Sequence, residues 1–233
     1  MIVPEGIERF QGLEKFFHPE TDRETPLFYG RDRLRSLRLE NGDRLLIRSY
    51  RHGGLLRHVT GDFFFTWPPR PFRELVVTEE ARRRGIETPE IFGAGIERVW
   101  GPFYRGWLAT RELEGGRDLW AALQSGLFGG ADRGSWLRAV ARSLKQMHRQ
   151  GLYHGDLNLK NILIQRGESG DFLSYIIDLD QATLFFGEVP PEKAQKNLNR
   201  LLQSARKLDP EKRFLSQRDW DLLMHFYREA AEG

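Results

Sequence analysis

Tyr153-His154-Gly155-Asp156-Leu157-Asn158-Leu159-Lys160-Asn161-Ile162-Leu163-Ile164 crowds histidine, aspartate, lysine and two asparagines together before turning wholly apolar. Ahead of this stretch, Leu137, Val140, Ala141, Leu144, Met147 and His148 recur at spacings of three and four, which marks one face of a long amphipathic helix. That face suits a core better than a cofactor. Behind the stretch come a turn around residues 167–171, a second apolar run Tyr175-Ile176-Ile177, and then Asp178-Leu179-Asp180. The local succession is helix, loop and hairpin. Hydrogen-bonding side chains gather in the loop and again where the second strand ends.

Working outward, Glu114-Gly115-Gly116 is a flexible stop suited to a hinge. Residues 27–50 read as short strands, with Asn41-Gly42 as a hairpin signal between 34–39 and 45–50. Pro71 opens a helical segment carrying Phe72, Leu75, Val76 and Glu79, which should end near Gly85. Residues 91–96 and 104–113 have strand character. Downstream, Ala194, Leu198, Leu201, Leu202, Ala205 and Leu208 share a helical stripe, and Ser216 with Asp219 caps a last helix bearing Trp220, Leu223, Phe226 and Tyr227. The expectation is an α+β chain forming one domain: a β-rich N-terminal lobe over about 1–113, a hinge at about 114–117 and an α-rich lobe over about 118–233. No repeat at a period of 20 to 50 residues is present, which excludes solenoids and propellers.

The 233 residues are 39% apolar, enough for a real core, and contain no cysteine, which excludes disulfides, thiolate metal sites and a cysteine nucleophile. No apolar run reaches 18 residues and the first ten lack a secretory pattern, so an intracellular protein that does not span a membrane is expected. Lys plus Arg number 36 against 33 Asp plus Glu, and the net charge of +3 predicts no nucleic-acid binding. Cations nonetheless gather at Arg44, Arg48, Arg51, His52 and Arg57, and again at Lys193, Lys196, Arg200, Arg206, Lys207, Lys212 and Arg213. Such runs are solvated faces unless they attract phosphates or an anionic membrane surface.

Phosphoryl transfer needs a carboxylate to orient and deprotonate the attacking hydroxyl, and oxygen ligands that hold Mg²⁺ against the phosphates. The loop resembles the catalytic loop of protein-kinase-like enzymes: His-x-Asp, with Asn five residues beyond the Asp, between a helix and a strand. That resemblance implies a two-lobed protein-kinase-like fold, ATP and Mg²⁺ as cofactors, Asp156 as catalytic base, and Asn161 and Asp178 as metal ligands. It places Lys160 near the transferred phosphate and His154 in a structural role. Asp178-Leu179-Asp180 resembles the metal-binding Asp-Phe-Gly segment with Asp180 in place of Gly, so Asp180 gains a metal or substrate contact. Strand 45–48 carries Arg48 where the family has lysine, with Glu74 as the natural partner, and Gly30 is the one glycine kept in Gly30-Arg31-Asp32 of the phosphate-covering loop.

Within that superfamily the chain is similar to the lipopolysaccharide core kinases, especially those acting on Kdo (3-deoxy-D-manno-octulosonic acid). Tyr50-Arg51-His52-Gly53-Gly54-Leu55, Phe63-Phe64-Phe65-Thr66, Arg70-Pro71-Phe72-Arg73-Glu74 and the catalytic loop carry the likeness, over roughly residues 28–207. It implies transfer of phosphate from ATP to the 4-hydroxyl of Kdo on lipid A. Arg51, His52 and Arg57, with Asp180, then meet the anionic lipid-linked sugar. Residues 63–67 then meet a membrane surface, or Phe63 to Phe65 serve instead as a hydrophobic anchor of the N-terminal lobe, and the protein is expected to be peripheral on the cytoplasmic face of the bacterial inner membrane. Only 55 residues (233 − 178) follow Asp178 and no Ala-Pro-Glu is present, which leaves little room for a peptide platform and favours a small or lipid-linked acceptor. The other readings are a kinase of a heptose, small molecule or protein serine, and a nucleotide-binding pseudokinase suggested by Arg48 and the thin glycine loop. Retention of Asp156, Asn161 and Asp178 favours catalysis.

Overall fold

The computed structural model describes residues 26–29, 32–39, 42–50, 64–126 and 132–230. The chain divides into two units, one of residues 1–79 with 90–112 and the other of 80–89 with 113–233.

The first unit is built on β1 (Pro26–Tyr29), β2 (Asp32–Arg38), β3 (Arg44–Ser49), β4 (Ile91–Trp100) and β5 (Phe103–Arg111). They form an antiparallel sheet in the order β1-β2-β3-β5-β4. The β2–β3 hairpin pairs Leu37 with Leu45, and Gly42 takes a left-handed φ of 90° that glycine adopts without steric cost. One buried cluster is Leu37, Leu45, Ile47, Phe92 and Ala109. A second is Tyr50, Phe64, Leu75, Ile91, Ala94, Tyr104 and Leu108. Leu75 comes from α1 (Arg70–Arg83), whose first turn takes Pro71 because amide hydrogens there have no helical partner. Gly85 ends the helix with φ 77°, its amide donating to Arg82 O and that of Ile86 to Ala81 O, the Schellman pattern.

In the second unit β6 (Arg117–Asp118) leads into α2 (Leu119–Gln124), capped by Asp118 Oδ1 accepting from Ala121 N at 2.9 Å. Then follow α3 (Arg133–Arg149), β7 (Leu152–Tyr153), β8 (Ile162–Arg166), β9 (Phe172–Ile176), β10 (Thr183–Leu184), α4 (Pro191–Leu208) and α5 (Gln217–Glu229). Strands β6, β8 and β9 make one small sheet, β7 and β10 another. Trp136, Leu137, Val140, Ala141, Leu144 and Met147 of α3 are all fully buried, so the stripe legible in the sequence is the core of this unit. Each such large side chain contributes about 2 kcal/mol by leaving water. Ser216 and Asp219 close a capping box at α5, and Arg133 grips the same carboxylate with Nε at 2.5 Å and Nη2 at 2.7 Å. Burial would push the Asp219 carboxyl up, but the bonds from Arg133 and Ser216 prevail and hold it below the ordinary range. Helix α2 and the two-residue strands escape a reading by periodicity because they are shorter than the patterns that reveal helices and strands.

Candidate active site

The β8–β9 hairpin sets two of the expected site residues at one place. Ile162 pairs with Ile176, and Ile177 N donates to Asn161 O at 3.0 Å. Asn161 stands just before β8 and Asp178 just after β9, so this register brings them to the same end of the hairpin. Asp178 sits in the left-handed region, φ 64° and ψ 57°, where aspartate is one of the few tolerated non-glycine residues. The chain then makes a short 3₁₀ turn, Leu179–Gln181, which buries Asp180.

Loop 154–161 is tied down almost everywhere except at one carboxylate. Asn158 Nδ2 and Asn161 Nδ2 both donate to Asp156 O at 2.9 Å, while Asn158 Oδ1 accepts from Lys160 N at 2.9 Å. Gly155 packs so closely on the turn after Asp178 that a Cβ there would lie 2.3 Å from Gln181 O. Asn161 spends its Nδ2 in the loop, and its Oδ1 has no donor among the described residues. The Asp156 side chain stays 57% exposed. Lys160 is exposed as well, and its ammonium meets no partner among the described residues.

His154 explains part of this rigidity. Its Nε2 lies 2.9 Å from Ile177 O, which can only accept, so Nε2 carries the proton. Nδ1 accepts from Asp156 N at 3.1 Å. A second proton on the ring would set donor against donor at Nδ1. Burial lowers the pKa of His154, against the opposing pull of the Ile177 bond and of the charges on Asp178, Asp156 and Asp180. All three carboxylates thus act on one neutral, buried ring that holds the Asp156 backbone.

The rest of the support comes from α4. Asn197 and His154 exchange two hydrogen bonds, Asn197 Nδ2 to His154 O at 2.6 Å and His154 N to Asn197 Oδ1 at 3.1 Å. One turn on, Arg200 Nη1 donates to Gly155 O and lies 3.4 Å from Asp156 Oδ1. A further turn on, Ser204 Oγ accepts from Leu159 N at 3.3 Å. The spacing 197, 200, 204 is one helix face. Asn197 is backed by His148, whose Nε2 lies 3.2 Å from Asn197 Oδ1 and whose Nδ1 lies 2.8 Å from Tyr227 Oη. Burial brings His148 down to about 4 and lifts Tyr227 to about 12.

In the first unit, β3 and α1 bring Arg48 to Glu74. Arg48 Nη2 lies 2.7 Å and 2.5 Å from the two carboxylate oxygens, and Tyr50 Oη also donates to Glu74. Glu74 is buried, with the guanidinium 5.0 Å from the Tyr50 ring centroid. Gly30, Arg51, His52 and Arg57 lie outside the described residues.

A model of the lipopolysaccharide kinase (Kdo/WaaP) family matches residues 29–227. The chain belongs to that family. As a lipopolysaccharide-kinase family member it is an ATP-dependent phosphotransferase. It is 32% identical over 186 residues to the 3-deoxy-D-manno-octulosonic acid kinase of Pasteurella multocida (strain Pm70), covering 78% of this chain and 74% of that protein. It is 31% identical to the enzyme of the same name from Xylella fastidiosa (strain 9a5c), over 72% of this chain and 64% of the relative. Among solved structures it matches WaaP in complex with acyl carrier protein with a TM-score of 0.56 at 21% identity, over 90% of this chain and 81% of that one. Amicoumacin kinase hAmiN, in complex with AMP-PNP, Ca²⁺ and Ami, matches with a TM-score of 0.55 at 10% identity, over 96% of this chain and 78% of that one. These likenesses show the protein-kinase-like fold, α+β as expected.

Sequence reading of this kinase missed Asn197 and Ser204, placed Arg200 only in a cationic run, and missed the partnership of His148 and Tyr227. A signal was present: Asn197 interrupts the apolar stripe between Ala194 and Leu198, and it is completely buried. A polar residue inside a core stripe needs a partner. Which partner depends on where the loop passes.

Proposed function

We propose that this kinase transfers the γ-phosphate of ATP to the 4-hydroxyl of Kdo on a lipid A-linked acceptor. The observation that carries the chemistry is Asp156: a carboxylate open to solvent on a loop whose backbone is otherwise bonded. Asp156 accepts the proton of the acceptor hydroxyl as its oxygen attacks the γ-phosphorus and ADP leaves. The identity of the acceptor rests on relatives named for Kdo phosphorylation.

Mg²⁺ suits the oxygen donors at the hairpin end. Asn161 Oδ1 and the Asp178 carboxylate would hold it, with Asp180 beside them. Mg²⁺ takes oxygen donors and keeps several waters, so two protein ligands with substrate phosphates would suffice to hold it. Lys160 is placed near the transferred phosphate. Arg48, aligned by Glu74, supplies positive charge to the nucleotide phosphates, Gly30 is assigned to nucleotide binding by the family resemblance, and residues 114–117 serve as the hinge, where Gly115 takes φ 71°. Arg51, His52 and Arg57 contact the acid sugar. Phe65 and Trp67, both exposed, support contact with a membrane surface, consistent with a peripheral protein on the cytoplasmic face of the inner membrane. Among the described residues, no helix is long and apolar enough to cross a membrane.

The test is incubation of purified protein with Kdo-lipid A, Mg²⁺ and labelled ATP, with the product's phosphate located by NMR. Label on the Kdo 4-hydroxyl is expected, and label confined to a heptose core or a protein would overturn the acceptor. Asp178→Asn should weaken Mg²⁺-dependent nucleotide binding about tenfold by calorimetry. Unchanged affinity would move the ligand role to Asp180.

A further inference from the structure

An acid sugar poses an electrostatic problem for the base just described. A carboxylate on the acceptor comes within a ring's width of Asp156, and two like charges about 5 Å apart repel by about 3 kcal/mol at an effective dielectric of about 20. A triphosphate at the same place adds to that repulsion. The site needs a cation beside Asp156 that is held independently of substrate.

Arg200 is that cation. Its guanidinium lies 3.4 Å from Asp156 Oδ1 and bonds the Gly155 carbonyl, both through Nη1. Nε and Nη2 have no partner among the described residues. The side chain is 40% exposed, so it remains open to a ligand. Its position is set from both sides along one helix face, by Asn197 on His154 a turn before and Ser204 on Leu159 a turn after. Within the loop, Lys160 is the other cation and is assigned above to the transferred phosphate, and Asn158 is consumed in bonds within the loop.

We propose that Arg200 is a specificity-determining residue that admits an acidic acceptor: it keeps Nη1 on Gly155 and receives the sugar's carboxylate on Nε and Nη2, while Asp156 takes the hydroxyl proton. The paired N–H groups of arginine match a carboxylate in a way that lysine does not. This assignment rests on the proposed acid-sugar acceptor and adds the residue that distinguishes it from a neutral one.

The experiment compares Kdo-lipid A with its derivative in which the Kdo carboxylate is a primary amide, using wild type, Arg200→Gln and Arg200→Lys. With the acid acceptor, Arg200→Gln should raise the acceptor KM about tenfold or more, equivalent to about 1.4 kcal/mol, and Arg200→Lys should fall between. With the amide, all three should agree within about twofold. Melting curves accompany each variant. If Arg200→Gln is unfolded at the assay temperature, the contrast between acid and amide is read from Arg200→Lys alone. Equal penalties on both acceptors, or a fall confined to kcat, would show that Arg200 serves only the loop or the transferred phosphoryl group and would overturn the inference while leaving the Kdo reading intact. Failure of wild type to phosphorylate the acid acceptor would sink both.

Discussion

In the second unit, loop 154–161 is gripped by its backbone: Asn197 bonds His154 N and O, Arg200 bonds Gly155 O, Ser204 bonds Leu159 N and the His154 ring bonds Asp156 N. In the first unit, Arg48 depends on a side-chain arrangement, Glu74 steadied by Tyr50. Backbone groups are the same in every residue, so the first construction fixes the loop's path and leaves the Asp156 side chain more than half exposed. The second fixes one functional group by another, so the residues must change together. At Arg48 a single nitrogen, Nη2, meets both oxygens of Glu74, with the guanidinium over the Tyr50 ring.

The widest test of the contrast removes the group that the loop presents. Asp156→Ala should lower kcat at least about a hundredfold with nucleotide binding largely kept, since the backbone that shapes the loop is untouched. Turnover near that of wild type would take the base role from Asp156. Asn197→Ala attacks the support instead. It strands the buried His154 N–H and carbonyl and removes a partner of His148, a loss of about 3 kcal/mol in stability, read from denaturant midpoints. A shift under about 0.5 kcal/mol would mean the loop holds its path without α4.

Acid should also act on the support. His148 falls from an ordinary 6.5 to about 4, so the folded protein keeps it neutral where the unfolded chain takes a proton. Its stabilising effect is complete above pH 6.5 and is lost as pH falls towards 4, amounting to about 2 kcal/mol at pH 5. His154 moves in the same direction. The check is unfolding free energy between pH 7 and 5, compared with His148→Gln; identical slopes would exclude His148. The smallest effect belongs to the first unit. Arg48→Ala should raise the KM for ATP about tenfold, and Arg48→Lys should recover part of it because the charge returns without the fork. Full recovery by lysine would show that the contact of Arg48 Nη2 with both Glu74 oxygens is irrelevant to nucleotide binding.

Some of this was legible in residue spacing. The α3 stripe from Leu137 to Met147, the capping box at Ser216 and Asp219, and the helix end at Gly85 are consequences of local periodicity and capping, and all three stand in the structure. Arg48 and Glu74, 26 residues apart, were legible as a pair because β3 and α1 follow in a familiar order. His148 was legible only as a core position, and its bonds to Asn197 and Tyr227, 49 and 79 residues away, were not.

The sequence by itself determined which side chains the loop and the hairpin end carry, since the order His154, Asp156, Asn161 and then Asp178 is set within one helix-loop-hairpin segment whose local preferences agree. Only the tertiary structure decided what holds that loop in place. Asn197, Arg200 and Ser204 are an ordinary polar edge on a helix until α4 lies beside the loop, and hydrogen bonds to backbone atoms carry no residue identity that a sequence pattern could betray.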